Sequence, residues 1–245
     1  MISRERRGDV AIIRLDAPPL NLLGSSMIAA LDDAFRTIAA DPPRVAVLFC
    51  SGAGADVREM AGFDGDRARR FITALHESCR AIRDVDAPVI ASVDGPCLGA
   101  HLEVAAACDL RVASAASRFG MPEIKVGIPS VIDAWWLVQI CGLGHTSSLV
   151  FDGDMIDAVE AHRIGLVNRV VPAEALEREA LAWADKIARF APAGLIEQKR
   201  VLRDWTDEAY RGAAQRSIDR LVAAFASGQA GEAMRAMLEK REPRF

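Results

Sequence analysis

Residues 94–123 read DGPCLGAHLEVAAACDLRVASAASRFGMPE, and the rest of the chain is organised around this stretch. It opens with a turn of small residues and continues into a small, apolar run that predicts a buried helix. Glu103 lies inside that run, and Glu123 ends the stretch. Burying a carboxylate is costly unless the charge is paired or used, so these two residues need an explanation. We therefore expect an active site here.

The apolar surroundings of the two glutamates favour a chemical role. An acidic residue near the start of a helix is often only a solvated group that complements the helix dipole. Glu103 fits that alternative poorly because its neighbours are small or apolar, and Glu123 follows the apolar segment 119–122. Desolvation raises the pKa of a carboxyl group toward the range in which it exchanges protons near neutral pH. Two such groups that meet at one substrate can divide acid and base roles.

Strand and helix patterns alternate before this stretch. Three short apolar runs predict buried strands at 10–15, 45–49 and 89–93. Helical spacing predicts one helix that begins at Ser25 or Ser26, either of which is a plausible N-cap, and another helix over 68–82. This alternation predicts an α/β fold with a parallel sheet and crossover connections.

The pattern changes near Pro172. A strand is predicted at 166–171, and the segments beyond residue 175 show only helical spacing. We predict four helices there: 175–189, 195–205, 209–226 and 231–241. The chain is therefore divided into an α/β core at 1–172, which carries the site, and a helical region at 173–245.

Composition and charge narrow the class of partner. The chain has 245 residues, 51% of them hydrophobic, and 30 basic against 34 acidic residues. This balance gives no positive field for nucleic acid, and no apolar run is long enough to span a membrane. The five cysteines are scattered and odd in number, which favours packing roles in a cytoplasmic protein over a disulfide framework. A small-molecule partner is expected.

The remaining histidines give little indication of a functional site. His76, His145 and His162 lie in polar or helical contexts and are predicted to be surface residues. None of them has the spacing of a metal-binding motif, so we predict no metal site.

The organising stretch and several flanking segments resemble a known family in order and spacing. The matching segments are 53–60, 94–96, 98–100 with Glu103, 107–111, 119–123, 127–129, 156–158, 165–168 and 239–245. They resemble the enoyl-CoA hydratase/isomerase family, the crotonase superfamily, and the resemblance covers nearly the whole chain. Glu123 follows Glu103 by 20 positions, which is similar to the spacing of that family's two catalytic glutamates.

The resemblance implies a fold and a catalytic apparatus. The fold would be a spiral of ββα repeats followed by a helical trimerisation region. Glu103 and Glu123 would be the catalytic acid and base, with neither role assigned to either residue. The backbone N–H groups of Ala55 and Ala100 would form an oxyanion hole, which stabilises negative charge as it develops on a thioester carbonyl.

The resemblance also implies a substrate and an assembly. Ala53, Asp56 and Val57 fall in the segment that binds the CoA part of the substrate in the family. Coenzyme A belongs to the acyl-CoA substrate, so no separate cofactor is expected, and fatty acid metabolism is the expected setting. The chain would assemble as a homotrimer or a dimer of trimers.

The oxyanion region departs from the family pattern in two ways. The turn between the strand at 45–49 and Ala53 is a few residues short, which alters the surroundings of the first N–H donor. Ala100-His101 stands where the family usually has a pair of glycines. The Ala100 amide can still donate a hydrogen bond, while His101 is either a packed residue or one that lines the pocket.

A further departure lies at 130–136, where SVIDAWW replaces a segment that is usually glycine-rich and polar. Asp133 is either a first-turn helix acid or a third carboxylate near the substrate. Trp135 and Trp136 are either core residues or the wall of a pocket for a small or flat acyl group.

The leading hypothesis is an enoyl-CoA hydratase-like lyase that adds water reversibly to a 2-enoyl-CoA. Because both glutamates are present, hydration is favoured over other CoA-thioester reactions of this scaffold, namely isomerisation, decarboxylation and thioester hydrolysis. A second class of hypothesis is a non-catalytic paralogue that binds acyl-CoA.

Overall fold

A computed structural model describes residues 1–244, without the side chain of Glu208. Phe245, which ends the predicted helical region, lies outside the described residues. Nine strands lie within the described part: β1 Ile2–Arg7, β2 Val10–Leu15, β3 Val45–Phe49, β4 Val89–Val93, β5 Pro96–Leu98, β6 Leu110–Ser114, β7 Arg118–Gly120, β8 Ile156–Asp157 and β9 Arg169–Val171. The same residues form ten α-helices: α1 Ser25–Ala40, α2 Val57–Met60, α3 Gly65–Asp84, α4 Ala100–Ala107, α5 Trp135–Asp152, α6 Ala158–Arg163, α7 Leu176–Ala188, α8 Pro192–Asp204, α9 Asp207–Ala226 and α10 Gln229–Glu239.

Two sheets form the strand layers. The larger sheet has the order β1-β2-β3-β4-β6-β9, and all its neighbours are parallel except the antiparallel pair β1 and β2. The smaller sheet has the order β5-β7-β8. Gly52 pairs with Cys97 of β5 through an isolated parallel bridge, so the turn after β3 adds to this second layer. Strands β3, β4 and β6 are thus each followed by a short segment of the second layer.

The core lies on both faces of the larger sheet. Strand β4 is buried along its whole length, as its unbroken apolar sequence predicts. One face packs against α1, α3 and α4, and the other is covered by the alanine-rich side of α7. Helix α9 packs against α3. None of the helices in residues 1–244 combines the length and apolar character needed to traverse a lipid bilayer.

Most predicted elements are confirmed, with two differences. Helix α1 begins at Ser25, but its N-cap is Gly24 and no side chain caps it. The prediction that a serine side chain caps α1 is therefore wrong. The Ser25 hydroxyl donates a hydrogen bond to the Glu59 carboxylate instead. The predicted strand at 166–171 is shorter, since β9 begins at Arg169. The α/β class with a helical C-terminal region is confirmed, whereas the division of function at residue 172 stays a prediction.

Candidate active site

Helix α4 presents Glu103 inside the protein. All eight residues of α4 are buried, and Glu103 itself is only 4% exposed. The helix starts after Gly99, whose φ of +51° lies in the left-handed region that favours glycine. At the other end, the buried guanidinium of Arg111 donates to the carbonyls of Cys108 (2.8 Å) and Leu166 (2.7 Å). The helix is thereby fixed at both ends.

Glu123 lies against the start of the same helix. It belongs to the 3₁₀ segment Pro122–Val126, directly after β7. A β-carbon on Gly99 would lie 2.3 Å from Glu123 Oε1, so the carboxylate occupies the space beside that glycine. The Ser130 hydroxyl donates to Glu123 Oε2 at 3.0 Å. The structure therefore brings Glu123 to the N-terminal turn of the helix that carries Glu103.

Both carboxyl groups hold protons more tightly than usual. Burial raises the pKa of Glu103 well above its ordinary value, and the negative charges of Glu123 and Asp133 raise it further. The N–H of Ala134 donates to Glu103 Oε1 at 3.3 Å and opposes this shift. Burial raises the pKa of Glu123 to about 6, against the favourable hydrogen bond from Ser130. Two carboxyls shifted in this direction can exchange protons near neutral pH.

The predicted oxyanion donors lie on two adjacent turns. A β-carbon on Gly54 would lie 3.2 Å from the Leu98 carbonyl oxygen and 4.0 Å from the Ala100 nitrogen, so the turn before Ala55 packs beside the turn before Ala100. Among the hydrogen bonds of residues 1–244, none is donated by the N–H of Ala55 or Ala100. Both groups therefore remain available to an acceptor.

A cleft of about 230 Å³ opens at these turns, and we call it the Glu123 cleft. Its walls are mostly apolar, with Glu123 and Lys125 as the charged residues. The lining residues are Ala53, Gly54, Ala55, Val57, Met60, Gly99, Pro122, Glu123, Lys125, Val126, Ile128 and Met237. A concave apolar site with a few polar groups is typical of small-molecule binding.

The three residues predicted to bind CoA have different positions. Ala53 and Val57 line the Glu123 cleft. Asp56 is the N-cap of α2, and its carboxylate accepts a hydrogen bond from the Arg58 N–H at 3.0 Å. Its side chain orders the helix beside the cleft and is not among the lining residues. A role of these residues in CoA binding stays a prediction.

His101 is a packed residue within the described structure. It is 0% exposed, and a β-carbon on Gly52 would lie only 2.0 Å from its Nε2 atom. Neither ring nitrogen has a hydrogen-bond partner in residues 1–244. Burial lowers the pKa of His101 to about 4, so the ring is neutral at physiological pH. The ring is not among the residues that line the Glu123 cleft.

Asp133 and the half-buried tryptophan pair gather around Tyr210, outside the Glu123 cleft. Asp133 is fully buried, and its carboxylate accepts hydrogen bonds from the Tyr210 hydroxyl at 2.6 Å and from His76 Nδ1 at 3.2 Å. The Trp135 and Trp136 rings stand perpendicular, 4.7 Å apart, and both contact the Tyr210 ring. The two tryptophans are not among the lining residues of the Glu123 cleft. Their contribution to an acyl pocket stays a prediction.

Some residues near the site were missed or misplaced by the sequence prediction. His145 and His162 are exposed, as predicted, but His76 is largely buried against Asp133, so its prediction as a surface residue was wrong. Tyr210 lies 77 positions from Asp133, and no local pattern pairs them. Ser130 belongs to the unusual segment 130–136, and the sequence prediction assigned it no role. The signal that could have revealed its contact with Glu123 was a hydroxyl side chain close in sequence to a predicted catalytic glutamate.

Comparison with known proteins agrees with the family resemblance seen in the sequence. Residues 5–245 match the family model described as enoyl-CoA hydratase/isomerase. The short-chain-enoyl-CoA hydratase of Clostridium acetobutylicum is 32% identical, with 97% of this chain and 94% of that protein covered. The crotonyl-CoA hydratase of Syntrophomonas wolfei is 32% identical, with 98% and 96% covered. An enoyl-CoA hydratase/isomerase structure from Pseudoalteromonas atlantica is 27% identical, with a TM-score of 0.89 over 100% of this chain and 99% of that one.

The fold and the family match define an enzyme of the crotonase class. The chain belongs to the enoyl-CoA hydratase/isomerase family. The prediction of an enoyl-CoA hydratase-like lyase is thereby confirmed.

Proposed function

We propose that this protein catalyses the reversible addition of water to a 2-enoyl-CoA, with Glu103 and Glu123 as the acid and base. The observation that carries the proposal is the contact of the Glu123 carboxylate with Gly99, at the first turn of the helix that buries Glu103. Glu123 lines the Glu123 cleft, whereas Glu103 is not among its lining residues and lies buried in the helix that begins beside it. Their raised pKa values support proton exchange with a substrate.

In the proposed reaction, the N–H groups of Ala55 and Ala100 donate to the thioester oxygen. One glutamate removes a proton from water while the water oxygen bonds to the β-carbon. The other glutamate delivers a proton to the α-carbon. The electrons of the double bond pass through an enolate-like state, whose negative charge the two N–H groups stabilise. Loss of one such donor typically costs about 2.7–4 kcal/mol. No metal or separate cofactor takes part in this scheme.

We propose that the acyl-CoA reaches the glutamates through the Glu123 cleft, whose Ala53 and Val57 side chains would contact the thioester end of CoA. Asp56 would act indirectly by capping α2. We further propose a cytoplasmic location, which fits five cysteines that are all buried and unpaired. Fatty acid metabolism is the proposed setting.

We propose a homotrimer, alone or paired into a dimer of trimers. Two stretches of the chain expose large apolar side chains, and such side chains mark interaction sites when they cluster. The first stretch, from α5 to α6, carries Leu143, Phe151, Met155 and Val159, and the second, in and around α8, carries Phe190, Val201, Leu202 and Trp205. Two different surfaces of this kind can join head to tail and close a ring. Nucleic acid and membrane are not proposed as partners.

Product analysis tests the reaction class. The purified protein is incubated with crotonyl-CoA and with longer 2-enoyl-CoAs, and the products are examined by mass spectrometry. Hydration adds the mass of one water to an intact CoA thioester, and this is the expected result. Release of free CoA indicates hydrolysis instead, and a product of unchanged mass indicates isomerisation. Binding without any product would support the non-catalytic alternative.

A further inference from the structure

Asp133 is a buried carboxylate held by two donors from two different helices. The Tyr210 hydroxyl of α9 donates to Oδ1 at 2.6 Å, and His76 of α3 lies 3.2 Å from Oδ2. Burial, followed by the charge of Asp133, raises the pKa of Tyr210, so the phenol keeps its proton and remains a donor. The cluster of Asp133, His76 and Tyr210 therefore ties the segment that carries Asp133 to α3 and α9 inside the protein.

The Asp133 cluster is joined to Glu103 through one peptide unit. Ala134 directly follows Asp133, and its N–H donates to Glu103 Oε1 at 3.3 Å. Helix α9 also fixes the other side of this segment, because the Ser217 hydroxyl accepts a hydrogen bond from the Ile132 N–H at 2.8 Å. Ile132 has a φ of +41°, which is unusual for a β-branched residue and requires such support. The segment Ile132–Ala134 is thus clamped onto the Glu103 carboxylate.

We propose that Asp133 is a positioning residue for Glu103: held by Tyr210 and His76, it keeps the Ala134 N–H on the Glu103 carboxylate and adds its own acidic group to the surroundings of that carboxylate. The proposal rests on the proposed function, because it deepens the role of Glu103 in that reaction. Asp133 itself does not touch the substrate in this scheme.

The charges around Glu103 set the direction of the effect. Burial is the first cause of the raised pKa of Glu103, and the charges of Glu123 and Asp133 follow. The titratable and charged groups nearest Glu103 and Asp133 on the elements packed around them include His76, Cys79 and Arg83 of α3, His101 of α4, Glu123, and Tyr210 of α9. Removal of the Asp133 charge therefore lowers the pKa of Glu103 and leaves its burial unchanged.

A purely structural role for Asp133 predicts something different. In that case, substitutions at Asp133 reduce stability according to their shape, and the titration of Glu103 does not follow the charge at position 133. Asp133→Asn keeps the shape and can still accept a hydrogen bond from Tyr210, but it removes the charge. Asp133→Glu keeps the charge and changes the shape. This pair separates the two roles.

The test is an infrared titration of the Glu103 carboxyl band, identified by its absence in Glu103→Gln, on the full-length protein. In Asp133→Asn the midpoint is expected to fall by about one pH unit or more, whereas in Asp133→Glu it stays high. Asp207→Asn is the control: Asp207 bonds Arg83 at 2.7 Å, beyond Tyr210, and its loss should leave the midpoint unchanged. If Asp133→Asn does not fold, Asp133→Ser also removes the charge, and the same fall is expected.

A midpoint that stays unchanged in the folded Asp133→Asn or Asp133→Ser protein overturns the proposal. The pH profile of kcat for crotonyl-CoA hydration gives a second readout. Its Glu103-dependent limb is expected to move to lower pH with the infrared midpoint. If the wild-type protein shows no hydration at all, the proposed function fails. The infrared titration still decides whether Asp133 influences the titration of Glu103.

Discussion

The carboxylate of Glu123 fills the space beside the α-carbon of Gly99, where a β-carbon would lie 2.3 Å from Oε1. This contact brings the first turn of α4 and the segment after β7 together. Gly99 also has a left-handed φ of +51°. A side chain at position 99 is therefore excluded for two reasons: it would collide with the carboxylate of Glu123, a proposed catalytic residue, and it would be strained in the left-handed backbone conformation.

Gly99→Ala should displace the Glu123 carboxylate and abolish most activity. A misplaced catalytic group can cost about a hundredfold in rate. Gly95→Ala is the matched control, because Gly95 also has a positive φ of +88° but no atom lies within 4 Å of the added carbon. Turnover of crotonyl-CoA by the two variants, compared after thermal melts, separates displacement of Glu123 from backbone strain. Equal losses in both would contradict the role of this contact.

Glu123→Gln should stabilise the protein at alkaline pH. The pKa of Glu123 is raised to about 6, so the native state binds the proton more tightly than the unfolded chain. The resulting stability is present in full below the unfolded pKa near 4.5 and is lost as the pH rises through 6. Replacement by neutral glutamine should therefore raise the free energy of unfolding by about 2 kcal/mol at pH 8 and change it little at pH 4. Urea unfolding at the two pH values provides the measurement.

His101→Leu should reduce the sensitivity of the protein to acid. The pKa of His101 is lowered to about 4 by burial, so protons bind preferentially to the unfolded chain between 6.5 and 4. The wild type should lose up to about 3 kcal/mol of stability over this range on account of His101. His145→Leu, at an exposed position, should leave the acid sensitivity as it is. Identical pH dependence of unfolding in wild type and His101→Leu would exclude this explanation.

Trp205→Glu should break the proposed trimer. Trp205 is 75% exposed at the end of α8, and a charge there would oppose burial against a second subunit. Ala39→Glu, on the exposed end of α1, is the control and should keep the assembly of the wild type. Analytical ultracentrifugation distinguishes these outcomes. A wild-type protein that sediments as a monomer would contradict the proposed assembly itself.

The sequence predicts those elements whose residues share one environment. Strand β4 and helix α4 are buried throughout, and their unbroken apolar runs are recognisable. Strand β1 escaped prediction because its sequence, ISRERR, is mostly charged and exposed. It forms only through antiparallel pairing with β2 at the edge of the sheet. Its strand character thus comes from a neighbour and not from its own pattern.

The residues of the candidate site were likewise only partly predictable from the sequence. Glu103 and Glu123 were identifiable because a carboxylate in an apolar run is unusual and because their spacing resembles that of a known family. The partners of Asp133 were not identifiable, since His76 and Tyr210 lie 57 and 77 positions away and meet it only after α3 and α9 have packed together. Long-range hydrogen bonds of this kind leave no periodic signal in the sequence.

The most direct test of the account is the rate of crotonyl-CoA hydration, followed by loss of the conjugated thioester absorbance. Wild-type protein should turn the substrate over, and Glu103→Gln and Glu123→Gln should each reduce kcat by at least about a hundredfold while still binding the CoA thioester. Glu174→Gln, at an exposed position, should keep wild-type activity. Absence of wild-type turnover, or full activity of either catalytic variant, would contradict the assignment of the two glutamates.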